Sequence, residues 1–178
     1  MEVTWIGCAA GNFSPGRAGH KPDLIVIHLM DGTLQGTDTW FLTPPSERNN
    51  GDFASSAHYG IGKAGQVHQY VHQEDEAFHA GRVLIPTAKL VVERHGVNPN
   101  LYSIGIEHEG TPTDEWPDEM IEASAQLVAQ LAAGHEIPLD RDHVVGHHEI
   151  FSAKSCPGDK CPIDQIVERA KAIFNLPT

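Results

Sequence analysis

The chain has 178 residues, 40% of them hydrophobic and 20% charged, which fits a single domain over residues 1–178 that is large enough to bury its own core. Twelve Lys and Arg against 24 Asp and Glu leave a formal net charge of -12, which argues against nucleic acid or an anionic membrane as the main partner. No apolar stretch reaches the roughly 18 residues needed to span a membrane, the N-terminus lacks the pattern of a signal peptide, and three cysteines are too few and odd in number for a disulfide framework.

Along the chain, the apolar run at residues 5–10 places Cys8 most simply in the core. A Gly- and Pro-rich loop is expected over residues 12–21. Residues 22–29, with Leu24-Ile25-Val26-Ile27, then read as a buried strand broken by Asp31-Gly32. His28 thus stands near a strand's C-terminal end. Residues 36–42 predict a short helix with Asp38 as cap, stopped by Pro44-Pro45, and residues 46–55 predict a polar surface loop. Strands at 57–62 and 67–71 flank Lys63-Ala64-Gly65-Gln66 as a hairpin, followed by a short strand at 77–79 and a helix at 86–95.

Residues 101–109 alternate with period two, with Ile104, Ile106 and His108 on one face and Ser103, Gly105, Glu107 and Glu109 on the other. Residues 117–133 have Pro and acidic residues in the first turn, an apolar stripe through Met120, Ile121, Leu127, Val128 and Leu131, and Gly134 as the expected stop. Residues 162–174 repeat the amphipathic pattern. Strands interspersed with helices, one hairpin among them, predict an α/β fold with a mixed central sheet and flanking helices.

The stretch from His143 to Gly158 gathers three histidines, a glutamate, a lysine and a cysteine on an expected strand end and loop. Cys156 and one of His147 and His148 are good zinc ligands, and a catalytic zinc needs three protein ligands with one position left for water. His28, ending its own apolar run, is the third candidate. Between the two adjacent histidines, the strand decides: a one-residue slip turns every side chain to the opposite face, so His147 shares a side with His143 and Val145 while His148 faces away. Cys161 is the next candidate after Cys156, ranked lower because Pro162 begins a helix there.

In chain order stand Ile25-Val26-Ile27-His28, Ser56-Ala57-His58-Tyr59, Phe78-His79-Ala80-Gly81, Ser103-Ile104-Gly105-Ile106-Glu107, Gly146-His147 and Lys154-Ser155-Cys156-Pro157. With this set the sequence resembles the type-2 N-acetylmuramoyl-L-alanine amidases, the family that includes phage lysozyme-type amidases and peptidoglycan recognition proteins, over about residues 22–174. The resemblance implies a central mixed β-sheet with flanking helices and a substrate groove on one side. It implies Zn2+ held by His28, His147 and Cys156, and a groove touched by His58 and His79. Other branches carry an aspartate where Cys156 stands, so the cysteine is more similar to the phage and recognition-protein branches. Some phage members have a tyrosine where this chain has Ala57, so no tyrosine role transfers and the catalytic burden shifts to Glu107.

The chemistry agrees. Zinc polarises an amide carbonyl and lowers the pKa of water to about 7. Glu107 is placed to move the proton from water to the departing amine, and the Lys154 ammonium, two residues before Cys156, to stabilise the oxyanion. The expected reaction is hydrolysis of the amide between N-acetylmuramic acid and L-alanine in peptidoglycan, with no organic cofactor. Without a signal peptide, the expectation is a phage or prophage endolysin catalytic domain, made in the cytoplasm and acting on the wall after release, bacteriolytic and antimicrobial in effect. The alternatives are a cytoplasmic muropeptide-recycling amidase and a non-catalytic peptidoglycan-binding protein.

Overall fold

A run with no polar face has to be covered on both sides. The computed structural model, which describes residues 1–48 and 53–176, does this to Leu24-Ile25-Val26-Ile27. Strand β3 (Leu24–Leu29) is buried along its whole length, between β7 (Ser103–His108) and β8 (Val144–Gly146), both parallel to it. On the far side of β7 lies β4 (Tyr59–Ile61), also parallel, and the expected 63–66 turn leads from β4 into the antiparallel β5 (Val67–Gln69). Edge strand β1 (Thr4–Trp5) runs parallel to β5. The sheet order is therefore β1-β5-β4-β7-β3-β8, the mixed sheet expected of the sequence.

Side chains alternate across a strand, so the central strands divide their residues between two layers. Ile25, Ile27, Ile104 and Ile106 join Met120, Leu127 and Leu131 of α3 (Asp118–His135) and Ile166 and Val167 of α4 (Ile163–Phe174) in the largest core cluster. On the opposite face, Leu24, Val26 and Val145 pack with Tyr102, Ile150 and Val91, the last from α2 (Lys89–Glu93). A third, smaller cluster puts Phe41 of α1 (Leu34–Leu42) against Tyr70 and Ala77.

Several expectations move. Helix α1 begins at Leu34 because Thr33 caps it, its side chain accepting the Gly36 N–H at 3.1 Å. Asp38, expected as the cap, is inside the helix, where its carboxylate accepts the Tyr70 hydroxyl at 2.7 Å and meets His68 Nδ1 at 2.9 Å. Helix α3 runs through Gly134 and stops where Glu136 takes the left-handed conformation at φ 59°. Helix α2 is shorter than residues 86–95: the Thr87 and Ala88 N–H groups before it go to the Glu149 carbonyl, and after it the chain turns at Gly96, whose φ is 86°.

Within the expected loop at 12–21, β2 (Phe13–Ser14) pairs antiparallel with β6 (Glu76–Ala77), which shares only Ala77 with the strand expected at 77–79. Two-residue strands are too short to show a period. Cys8 is half-buried at the margin of the third cluster rather than in a core, and neighbouring Trp5 is 50% exposed. Pro45–Glu47 forms a 3-10 turn at the start of the expected loop at 46–55, of which residues 49–52 lie outside the described residues.

Candidate active site

Parity along the strands assembles the site. His28 shares its face with Leu24 and Val26, away from the α3 and α4 layer, and its Cα partner across the ladder is Glu107. Glu107 points to that same face because Ile104 and Ile106 point to the other. Val145 is also on that side, and His147, two residues on, opens a 3-10 turn (His147–Glu149) just past β8. The three side chains thus meet at the C-terminal ends of three parallel strands, the end at which open α/β sheets bind ligands.

Cys156 arrives on a loop that is pinned twice. The Leu29 N–H donates to its Sγ at 3.2 Å, and the His148 N–H donates to its carbonyl at 2.8 Å. Gly146 makes the close approach feasible: a Cβ there would stand 2.8 Å from the His148 ring and 2.9 Å from Pro157.

His28 Nδ1 lies 3.2 Å from His147 Nδ1 and 3.9 Å from Cys156 Sγ, and the three donor atoms all fall within 4.8 Å of one another. Two imidazole nitrogens and one thiol are the donor types of a catalytic zinc site with an open position. A second observation fits the same group: Glu107 Oε2 is buried beside this trio with no hydrogen-bond partner, an atom left for something the protein itself does not supply. The trio, Glu107 and Lys154 line one open groove of about 570 Å³, with Asp31, Thr33 and Trp40 on its other wall. A second depression, lined by Arg141 and Cys161, lies on the other side of the 154–158 loop and contains none of the trio.

Burial sets the protonation states. It holds His28 well below the ordinary imidazole range, with the neighbouring His147 adding to the effect, and it lowers His147 to about 4, helped by the Lys154 ammonium. Both rings are therefore neutral near pH 7 and keep a lone pair for a metal. Burial first, then the Glu107 carboxylate, pushes the Cys156 thiol up to about 12; coordination to a cation is what removes such a proton. The Glu107 carboxyl is pushed up to about 7 by burial against the opposing pull of Lys154, close to the value that suits a group moving protons at neutral pH.

Sequence-expected residues sort clearly. His28, His147, Cys156, Glu107, Lys154 and His79 all line the groove. His148 is exposed on the 3-10 turn past β8 and braces the cysteine loop, and Cys161 packs partly buried against the helix layer. His58 does not line the groove. It is 0% exposed, its Nδ1 accepts the Gly105 N–H at 3.1 Å, and its Nε2 sits 2.6 Å from Arg17 Nη2 and 3.2 Å from the Asp75 carbonyl, so it has no surface to offer a substrate.

Arg17 is the residue that sequence reading missed. From within the Gly-rich loop it reaches the start of β7 and donates to the carbonyls of Gln73, Asn100 and Ser103. A loop has no periodicity to reveal a buried side chain; a long cation among glycines was the only signal.

A family model described as N-acetylmuramoyl-L-alanine amidase matches residues 18–159. The chain belongs to this amidase family. N-acetylmuramoyl-L-alanine amidase A of Achromobacter lyticus is 31% identical over 135 residues, which are 74% of this chain and 62% of that protein, so the match spans less than two thirds of that relative. The 1,6-anhydro-N-acetylmuramyl-L-alanine amidase AmpD of Enterobacter cloacae is 30% identical over 150 residues, covering 78% of this chain and 75% of its own. Among solved structures, a selenomethionine AmpD derivative superposes with a TM-score of 0.74 over 94% of each chain at 23% identity, a likeness of fold. Family and fold agree with what the motifs implied.

Proposed function

We propose that this amidase-family chain is a zinc hydrolase that cuts the amide between the lactyl group of N-acetylmuramic acid and the L-alanine that begins the peptidoglycan stem peptide. The observation that carries the reading is the convergence of the His28, His147 and Cys156 donor atoms within 4.8 Å beside the unpartnered Glu107 carboxylate. Those three side chains would hold zinc, which would supply a Lewis acid for the amide carbonyl and lower the pKa of water to about 7. Glu107 takes the proton of the attacking water and returns it to the departing amine, a transfer that its raised pKa favours in both directions. Lys154, on the groove rim, presents its ammonium to the oxyanion that develops on the carbonyl.

The cysteine at position 156, where other branches have aspartate, supports an endolysin-like domain acting on intact wall. A second reading, the recycling of soluble muropeptides in the cytoplasm, is favoured by the likeness to the Enterobacter cloacae protein, whose name specifies a 1,6-anhydro substrate. Digestion of intact walls and of soluble anhydromuropeptides, followed by amino-terminal and reducing-sugar assays, separates them. New L-alanine amino termini without new reducing ends are expected. New reducing sugars would place the cut in the glycan, and cleavage of neither substrate would leave a non-catalytic peptidoglycan binder.

A further inference from the structure

Behind His28 lies a file of hydrogen bonds whose directions are fixed from its far end. The Ser103 hydroxyl donates its single hydrogen to the Pro99 carbonyl at 2.7 Å, so in its 3.2 Å contact with His79 Nε2 it can only accept. His79 therefore carries its hydrogen on Nε2 and presents Nδ1 as an acceptor. Facing that nitrogen, at 3.0 Å, is His28 Nε2. The direction is now forced at His28 as well: Nε2 donates, and in a neutral ring Nδ1 is left bare. Nδ1 is the atom that looks at His147 Nδ1 and Cys156 Sγ.

We propose that Ser103 and His79 are positioning residues that lock His28 in the tautomer with hydrogen on Nε2, so that its Nδ1 lone pair is committed to the metal before any metal arrives. This rests on the zinc reading above. A ligating histidine ordinarily hands its second N–H to a carboxylate or carbonyl, which fixes tautomer and ring orientation. Here a second imidazole, itself oriented by a buried serine, does that work.

The sheet is shaped to admit it. A Cβ on Gly105 would fall 2.6 Å from the His79 ring, so only glycine at that position lets the ring settle over β7 between Ser103 and His28. With Nδ1 and Nε2 both engaged inside the protein, His79 offers the groove its carbon edge. Behind the ligand it has a role that does not depend on substrate, while its carbon edge still lines the groove.

Ser103→Ala tests the relay, since the serine is fully buried, touches no groove surface, and is replaced by a smaller side chain of similar shape. Without the hydroxyl, His79 Nε2–H keeps only the Ser103 backbone carbonyl, which also takes the Arg17 guanidinium, so His79 reverses its tautomer more readily and His28 with it, pointing an N–H at the metal position. Zinc affinity, measured by chelator competition, is expected to fall about 10–100-fold. Ser103→Thr, which keeps the hydroxyl, is expected to restore it. In metal-free protein, long-range proton–nitrogen correlation spectra should show His28 protonated at Nε2 in wild type and Ser103→Thr, and a mixture in Ser103→Ala, with thermal melts checking that all three are folded. A wild type that takes up zinc while Ser103→Ala shows the same affinity and the same His28 tautomer overturns the relay and leaves the zinc site standing. A wild type that takes up no zinc overturns the zinc reading and the relay with it.

Discussion

Strands β3 and β7 carry two different kinds of surface back to back. On one side Ile25, Ile27, Ile104 and Ile106 are sealed against α3 and α4; on the other, His28 and Glu107 lie across from each other on the floor of a groove. The apolar side is redundant, because many residues share its burial and the loss of one leaves the rest in place. The polar side has no spare members, because each donor atom has one position relative to the others. Stability is therefore distributed and chemistry is concentrated, within two strands of six residues each.

The largest effect is expected from the concentrated side. Cys156→Ala and His147→Ala should each remove zinc and amidase activity together, since two remaining ligands hold the metal far less tightly than three, while His148→Ala leaves zinc content largely intact. Elemental analysis beside an amide-release assay reads this directly, and undiminished zinc in Cys156→Ala would strike that sulfur from the site. Next comes Glu107→Ala, for which zinc is retained and kcat falls by about two to four orders of magnitude. Glu109→Ala is its control, and near-wild-type turnover in Glu107→Ala would reduce Glu107 to a buried strand residue.

On the distributed side, Leu127→Ala removes a core leucine of α3 that is 1% exposed and should cost about 2–5 kcal/mol by urea unfolding, with zinc stoichiometry unchanged. Loss of zinc at full stability would contradict the division of labour between the faces. An effect confined to acid belongs to His58, lowered to about 3 by burial and by the Arg17 guanidinium. The fold holds this ring neutral whereas the unfolded chain protonates it below about 6.5, so its stabilising effect is intact above that pH and drains away as pH falls toward 3. His58→Gln should make stability against pH shallower over that window by at most about 1.4 kcal/mol per pH unit. A wild-type slope in this variant would show that the ring is protonated in the fold.

What could be read from the sequence follows the same division. The period of two in residues 103–108 and the unbroken run 24–27 announced both strands and, through parity, the face on which Glu107 and His28 emerge. Parity also pointed to His147 rather than His148, although both stand just past the strand on a 3-10 turn. Features set by contacts between distant segments were not legible. Asp38 had the composition of a cap but finds its partners on β5 and just beyond it, and Glu136, with no glycine to mark it, ends α3. His58 and His79 stand in motifs of similar appearance, yet one is sealed beneath Arg17 and the other lies over Gly105 at the groove; only the three-dimensional neighbours tell them apart.

Strand β3 comes early in the chain, yet both of its partners in the sheet come late, at residues 103–108 and 144–146. His28 is separated from His147 by 119 positions and from Cys156 by 128. During synthesis on a ribosome, therefore, the first donor atom emerges long before the other two, and the groove has no complete floor until the final strand docks. A polypeptide cut just before residue 156 carries all the strands and α1 to α3 but neither α4 nor the trio of donors. The order of the strands thus works as a timer: the donor trio is complete only after most of the chain has been made, and loop closures this long are expected to make its assembly one of the slower events of folding.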